Sequence, residues 1–372
     1  MSLKLFVFLC FSPVVLFAHR EATYCLIGTC RGGEICLRLD EFGDACFARY
    51  YSSEILTDRV LSGYISTDSV FYLHSYDWDS IAKKNILKDS IVLKEIKNDV
   101  WRGVWITEDF SVANFAMRPI IVDSLDVALQ NIARKLPLDS YSTYRLQYAD
   151  IKMKKKQKMG EGIWFQRMVE RKSGVELFQL KEKGGNVFDS VNSTLYGQCM
   201  KMADGAFSCS TVGGVGLYRT KFAVYFANKE LLSYSVSVSS SCYGGAMQAE
   251  TKHVTVSVEN AEQIMLEDLF WFTDSVYEPM SKGEYEWFQY RYKDFAPVVY
   301  NLLRQNYPDM FSLEDQCDIC NEKYWSLPEW YIADNGLWLK ATGNSMVDGA
   351  FQWFLLPYES IARYMIGKFA LP

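Results

Sequence analysis

The chain has 372 residues, 49% of them hydrophobic and 23% charged, with a formal net charge of −6. A chain this apolar buries a sizeable core, which excludes intrinsic disorder. Its acidic balance excludes a nucleic-acid partner held through a basic face. Its three histidines, His19, His74 and His253, stand far apart, with no His-Glu-x-x-His and no paired-His spacing, so no metal site and no cofactor is expected.

Met1-Ser2-Leu3-Lys4 leads an apolar run from Leu5 to Ala18, broken only by Ser12 and Pro13. One early charge before a short apolar core is the layout of a secretory signal, residues 1–18, with cleavage expected after Ala18. The run is shorter than the ~20 residues that span a bilayer, and no later run reaches that length uninterrupted. The mature chain is therefore expected in the periplasm or secreted medium. Ten cysteines less Cys10 in the leader leave nine. In an oxidising compartment most should pair, and an odd number leaves at least one over.

Residues 19–122 read as a β-rich meander. Ile35–Leu39, Val70–Leu73, Ser90–Leu93 and Val100–Ile106 are short runs of β-branched and aromatic residues, with turn signals at Arg31-Gly32-Gly33 and Gly43-Asp44. Cys25, Cys30, Cys36 and Cys46 cluster at its start and suggest two local disulfides, in any of three pairings.

Residues 123–225 read as a helix followed by more strand-like sequence, a connecting region that belongs with the C-terminal unit, with the helix as the junction between the two domains. Ser124 can cap a helix over 124–136, in which Leu125, Ala128, Leu129, Ile132, Ala133 and Leu136 recur at helical spacing before Pro137. Lys152–Lys158 (KMKKKQK) is the one basic run: a solvated hairpin end, or a contact for anionic polymer or lipid headgroups. Asn192-Ser193-Thr194 fits the glycosylation sequon, which matters only in a eukaryotic host. Cys199 and Cys209 flank Ala203-Asp204-Gly205, which as a hairpin turn would bring them into a disulfide.

Residues 226–372 mix strands and helices. Leu231–Val238 alternates as a strand with one buried face, and Val254–Val258 follows as another. Residues 284–306 carry a stripe of Phe288, Tyr292, Phe295, Val299, Leu302 and Leu303, with Pro297 as a kink or break. A short helix from Tyr358 to Met365 is expected between closing strands near Gly336–Leu339 and Gly367–Leu371. The whole chain thus reads as α+β: an N-terminal all-β meander domain, then an α+β domain with an antiparallel sheet packed on helices.

The ordered set Tyr243-Gly244-Gly245-Ala246, Leu266–Phe270, the amphipathic helix, Asn335-Gly336-Leu337 and Pro357-Tyr358-Glu359 resembles the C-terminal domain of RsiV-type anti-sigma factors, also found in PdaC-type peptidoglycan deacetylases. Met247 stands where that family commonly has His. The resemblance implies an extracytoplasmic, non-catalytic recognition domain at the bacterial envelope, with lysozyme-type proteins or peptidoglycan-related ligands as partners. Tyr243, Pro357, Tyr358 and Glu359 are its candidate binding residues.

Two constellations suggest chemistry instead. Cys317-Asp318-Ile319-Cys320 has the spacing of a thiol oxidoreductase. The acids Glu314, Asp315, Asp318 and Glu322 around it oppose a thiolate, which favours a structural disulfide. Glu267 and Asp268 could serve a glycan hydrolase, or fill the first turn of a helix. The reading is a non-enzymatic exported binding protein, against which stand an envelope enzyme and a structural or adhesion component.

Overall fold

The structure, a computed structural model, describes residues 22–79, 84–97, 99–125, 127–136, 138–160, 162–183, 185–211, 214–243, 245–273, 281–311, 318–342 and 352–372. The expected leader with Cys10, and also His19, Gly244 and Cys317, lie outside them. The chain divides into two compact units: residues up to Tyr148 with Phe207–Val215, and Ala149–Ala206 with Gly216–Pro372. The first boundary thus falls at Tyr148 rather than at residue 122.

The first unit is all-β where the alternation placed strands. β1 (Thr23–Cys30), β2 (Gly33–Phe42), β3 (Ala45–Ser52), β4 (Arg59–Ile65), β5 (Val70–Asp79), β6 (Lys84–Lys97), β7 (Val100–Thr107) and β8 (Val112–Pro119) pair in sequence order. The meander closes: β8 returns to β1, from Leu26↔Pro119 to Thr29↔Ala116. Closure pairs both edges that an open sheet would leave bare. Inward positions such as Leu26, Leu37, Leu39, Leu61, Leu73, Leu93 and Trp101 fill the interior. Gly103 marks how tightly: a Cβ there would meet the Phe115 ring at 2.6 Å and the Val92 carbonyl oxygen at 2.6 Å. The barrel is a packed core, as eight-stranded barrels permit. At one polar spot, the buried Asp89 carboxylate accepts from Tyr50 Oη (2.8 Å), Ser75 Oγ (3.2 Å) and Trp105 Nε1 (2.9 Å).

Register overturns the expected local disulfides. Cys25 stands opposite Arg38, Cys36 opposite Ile27 and Tyr51, Cys30 opposite Gly33, and Cys46 opposite Glu41. Cys30 and Cys46 point into the core but sit at opposite ends of β2, while the alternation puts Cys25 and Cys36 on the outer face. All four are free thiols. Burial raises the proton affinity of each, Cys36 to about 12 and Cys46 to about 11.

After a 3₁₀ turn at Val122–Ser124 come α1 (Val127–Lys135) and α2 (Ser140–Leu146), so the helix expected over 124–136 starts slightly later. Asp139 caps α2, accepting from Ser142 N at 2.7 Å. Arg145 of α2 has no exposed side-chain surface. It pairs with the equally buried Asp58, which also accepts from Tyr141 Oη at 2.7 Å and lies 3.5 Å from Arg49. The Tyr51, Tyr141 and Phe207 rings surround the guanidinium at 5.4–5.6 Å, and its Nη2 donates to Ser208 Oγ at 2.8 Å. One side chain thus fastens α2, the 53–58 loop and Phe207-Ser208 to the outside of β3.

The second unit opens with β9 (Ile151–Gly160), β10 (Ile163–Glu170) and β11 (Glu176–Glu182), in spatial order β11-β10-β9. Next comes α3 (Asp189–Ser208), a 20-residue helix where strand-like sequence was expected. Ala203-Asp204-Gly205 is helical, so no hairpin brings Cys199 to Cys209. Cys199 is a buried thiol pushed up to about 12, and the disulfide is Cys209–Cys242. Val191, Leu195, Cys199, Met202 and Ala206 form the helix's apolar stripe. Asn192 pairs with the β11 backbone like an extra strand, accepting from Leu180 N (2.7 Å) and donating to Leu180 O (2.9 Å).

A two-residue ladder joins β12 (Ser210–Thr211) and β13 (Gly214–Val215). β14 (Leu217–Ala227), β15 (Leu231–Ser241) and β16 (Gln248–Ser257) make an antiparallel sheet, with β15 central. α4 (Tyr285–Tyr290) and α5 (Ala296–Asn306) are joined without a break by a π-helical turn, Arg291–Phe295, so the helix expected over 284–306 runs on in one piece, with its irregularity just before Pro297. β17 (Glu329–Ala333), β18 (Gly336–Lys340) and β19 (Phe354–Pro357) form the last sheet, followed by α6 (Tyr358–Ile361). Residues 367–371 form no strand; Phe369 and Leu371 pack on the core instead. Among the described residues no helix is long and apolar enough to cross a membrane.

Asp58→Ala leaves a buried guanidinium without its charge partner and should cost about 3–5 kcal/mol. Urea unfolding of the oxidised protein reads this directly, and a loss below about 1 kcal/mol would show that the pair fastens nothing.

Candidate ligand-binding face

Strand β15 reads Leu-Leu-Ser-Tyr-Ser-Val-Ser-Val-Ser-Ser-Ser, and its alternation sends two chemistries to two faces. Tyr234, Val236 and Val238 face the core with α3 and β11. Ser233, Ser235, Ser237 and Ser239 face the other way. Register puts Ala223, Lys221 and Arg219 of β14 beside Ser235, Ser237 and Ser239, and His253, Thr251 and Ala249 of β16 on their other side. Arg219, Lys221, Ala249 and Thr251 are exposed. Ser233 and Ser235 are buried and Ser237 and Ser239 half-buried, so the accessible part of the face, around Ser237, Ser239 and Thr251, is a strip of hydroxyls and small side chains edged by two cations.

At the β17 end the strip meets aromatic rings. The ladder of β14 and β15 is irregular between Val224 and Phe226, and a bulge there re-aims Tyr225. Its hydroxyl lies 2.8 Å from Ser235 Oγ. Its ring stacks on Tyr331 of β17, centroids 3.9 Å apart and planes 20° apart. Tyr331 stands opposite Trp338 of β18, with their rings nearly parallel at 5.9 Å. His253 lies parallel to Tyr331 at 5.4 Å and meets Trp353 edge-on at 4.6 Å. All five rings are half-buried. Trp338 is fixed by Nε1 donating to Asn335 Oδ1 at 3.1 Å, and Ser233 Oγ ties β17 down by accepting from Ile332 N at 3.3 Å.

Glu329, 41% exposed, lies 3.0 Å from Lys340 Nζ and 3.6 Å from His253 Nδ1. Burial lowers the His253 proton affinity below its ordinary value; Glu329 works against this and Lys340 with it. The imidazole is therefore neutral at pH 7. Desolvation raises Tyr331 to about 12, so it too is neutral. The face offers neutral rings, hydroxyls and a paired carboxylate. That suits holding a polar, flat-sided ligand better than activating one.

The sequence-derived candidates fall elsewhere. Tyr358 belongs to the core at 9% exposure, its hydroxyl donates to Ala333 O at 2.9 Å, and burial raises its proton affinity. It therefore offers no exposed ring. Pro357 ends β19 and caps α6, and Glu359 is exposed. Tyr243 is 55% exposed, in a turn with φ +56°. It lies roughly 30 Å of strand beyond the Ser233 rung, so it does not join the Pro357–Glu359 group. Glu267 is not a free acid: Arg291 Nε lies 2.5 Å away and Trp287 Nε1 donates to it at 3.0 Å. Asp268 accepts from Met265 N at 3.0 Å, the helix-start role. Cys320 lies in a 3₁₀ turn, Asp318–Cys320, its Sγ 3.8 Å from Met310 O. Among the described residues no group of acids, histidines and cysteines could hold a metal ion.

No protein-family model matches the chain, and the comparison with curated proteins gives no match.

Because its proton affinity is lower folded than unfolded, His253 favours the folded state at neutral pH. That contribution fades as pH falls through the ordinary imidazole value of about 6.5 toward the folded one. His253→Gln should therefore shrink the drop in Tm between neutral and mildly acidic pH, measured by calorimetry at both. An unchanged drop would place the titration elsewhere.

Proposed function

We propose that this protein is an exported, non-enzymatic binding protein that holds a glycan on the aromatic and hydroxyl face of its second unit. The observation that carries this reading is the run of half-buried rings, Tyr225, Tyr331, Trp338, Trp353 and His253, continuing into the serine strip of β15. Aromatic rings present apolar faces that suit the C–H side of a sugar ring, while hydroxyls and Lys340 answer its polar rim. The signal-like leader and the Cys209–Cys242 disulfide support export. The RsiV-type resemblance favours the bacterial envelope, where peptidoglycan is the abundant glycan. With the Tyr358 ring buried, a lysozyme-type partner loses its expected anchor.

The oxidised mature chain should bind chitohexaose or muropeptide fragments in calorimetry. Tyr331→Ala and Trp338→Ala should each weaken binding about tenfold, or ~1.4 kcal/mol, with Tm little changed. Binding that survives both substitutions, or no retention of either probe, removes the glycan reading. Saturable binding of c-type lysozyme instead would restore the protein partner.

A further inference from the structure

The basic run of the sequence forms β9, the edge strand of its sheet, and Lys152, Lys154, Lys155, Lys156 and Lys158 are all exposed. Among the described residues no carboxylate lies within 4.0 Å of any of them. A single lysine is enough to discourage edge-to-edge pairing. Five of them, three consecutive, repel one another on a protein whose net charge is −6.

Register shows what part of this charge is organised around. Trp164 of β10 stands opposite Lys158 of β9 on one side and Lys181 of β11 on the other. The next rung on the same face is Lys156, Gln166 and Gln179. Trp164 is half-exposed and belongs to no core cluster. Gln179 Nε2 donates to Gln166 Oε1 at 3.2 Å and Gln166 Nε2 to the Lys154 carbonyl at 2.8 Å, which fixes the two amides side by side. Lys181 is not needed to guard the β11 edge near it, because Asn192 already closes that edge at Leu180. The result is an indole flanked by ammonium groups whose strands lie about 10 Å apart, above a rung of amides.

We propose that this patch is a second binding site, for a linear acidic polysaccharide. The ring takes a sugar face, the flanking lysines take its carboxylate or sulfate groups, and the amides take hydroxyls. A single polyanionic chain lies within the short screening range of the patch alone, about 8–10 Å in physiological salt. An anionic bilayer would instead present an extended negative plane to the rest of an acidic molecule. The site is independent of the aromatic face of β14–β18 and stands or falls separately.

The test uses the oxidised mature chain, with heparin as linear polyanion, dextran as neutral polymer and phosphatidylglycerol vesicles as bilayer. Heparin should bind and dextran should not. Lys156→Gln/Lys158→Gln and Trp164→Ala should each weaken heparin binding tenfold or more, with unchanged circular dichroism and Tm. The double variant should also flatten the dependence of log affinity on log salt, by roughly one to two units. Lys152→Gln/Lys154→Gln should change affinity by less than the other pair, and Tyr331→Ala should leave it alone. Three results would overturn the proposal: vesicle binding tighter than heparin binding, equal losses from both lysine pairs, or no heparin binding at all.

Discussion

The second unit is organised around the register of β15. Its Leu231 belongs to the core under β17–β19 and α5, and its Leu232, Tyr234 and Val236 to the core under α3 and β11. Ser233, with no exposed surface, accepts from both Thr255 Oγ1 (3.1 Å) and Ile332 N (3.3 Å), so one hydroxyl ties three strands together. A slip of one residue would turn Ser235 and Ser237 toward the α3 core and move Tyr234 and Val236 to the hydroxyl face. The outer hydroxyl strip is therefore fixed by the same constraint that builds both cores. A face specified so strictly can hold rings and hydroxyls in one arrangement before any ligand arrives, which lowers the ordering cost of binding.

The two units solve the problem of bare strand edges differently. The first closes on itself, and its charged groups serve architecture: Asp89 inside the barrel, Arg145 and Asp58 on its outside. The second leaves open sheets and manages each edge locally, with the Asn192 amide against β11 and lysines along β9. On the open β9 edge of the second unit, five exposed lysines stand beside the half-exposed Trp164. That is also where a ligand can reach backbone and side chains together.

Much of the first unit is legible in sequence, because period-two alternation and Gly-containing turns are local signals. Its closure is not, since β1 and β8 are joined by pairing across some ninety residues of chain (Thr29↔Ala116). Cysteine spacing misled for a related reason: proximity in sequence says nothing about which face of a strand a side chain takes, and Cys25 and Cys30 take opposite faces. Helix α3 is hidden by Gly197, Asp204 and Gly205, which weigh toward turns, while tertiary burial of Val191, Leu195, Cys199 and Met202 decides the outcome. The candidate face gathers single rings from β14, β16, β17, β18 and Trp353 just before β19, so no contiguous motif announces it. A sharper signal was present in Tyr331 and Trp338, large aromatics at the solvent-facing parity of strands whose other parity, Ile332, Leu337 and Leu339, is fully buried. Tyr358 misled because a Pro-Tyr-Glu turn gives no hint that its ring folds back inward.

Asn192 carries one more consequence. It heads an Asn-Ser-Thr sequon, yet both ends of its side-chain amide are committed to the Leu180 peptide. Oligosaccharide transfer would attach a bulky group to the very nitrogen that donates to Leu180 O. Once α3 has docked, the acceptor is occupied; if transfer comes first, the nitrogen keeps a single hydrogen and brings a sugar to the seam where α3 packs on β11. In a cell that glycosylates its secreted proteins, the maturation of this chain becomes a race between a modifying enzyme and a folding helix, and its yield reports which one wins.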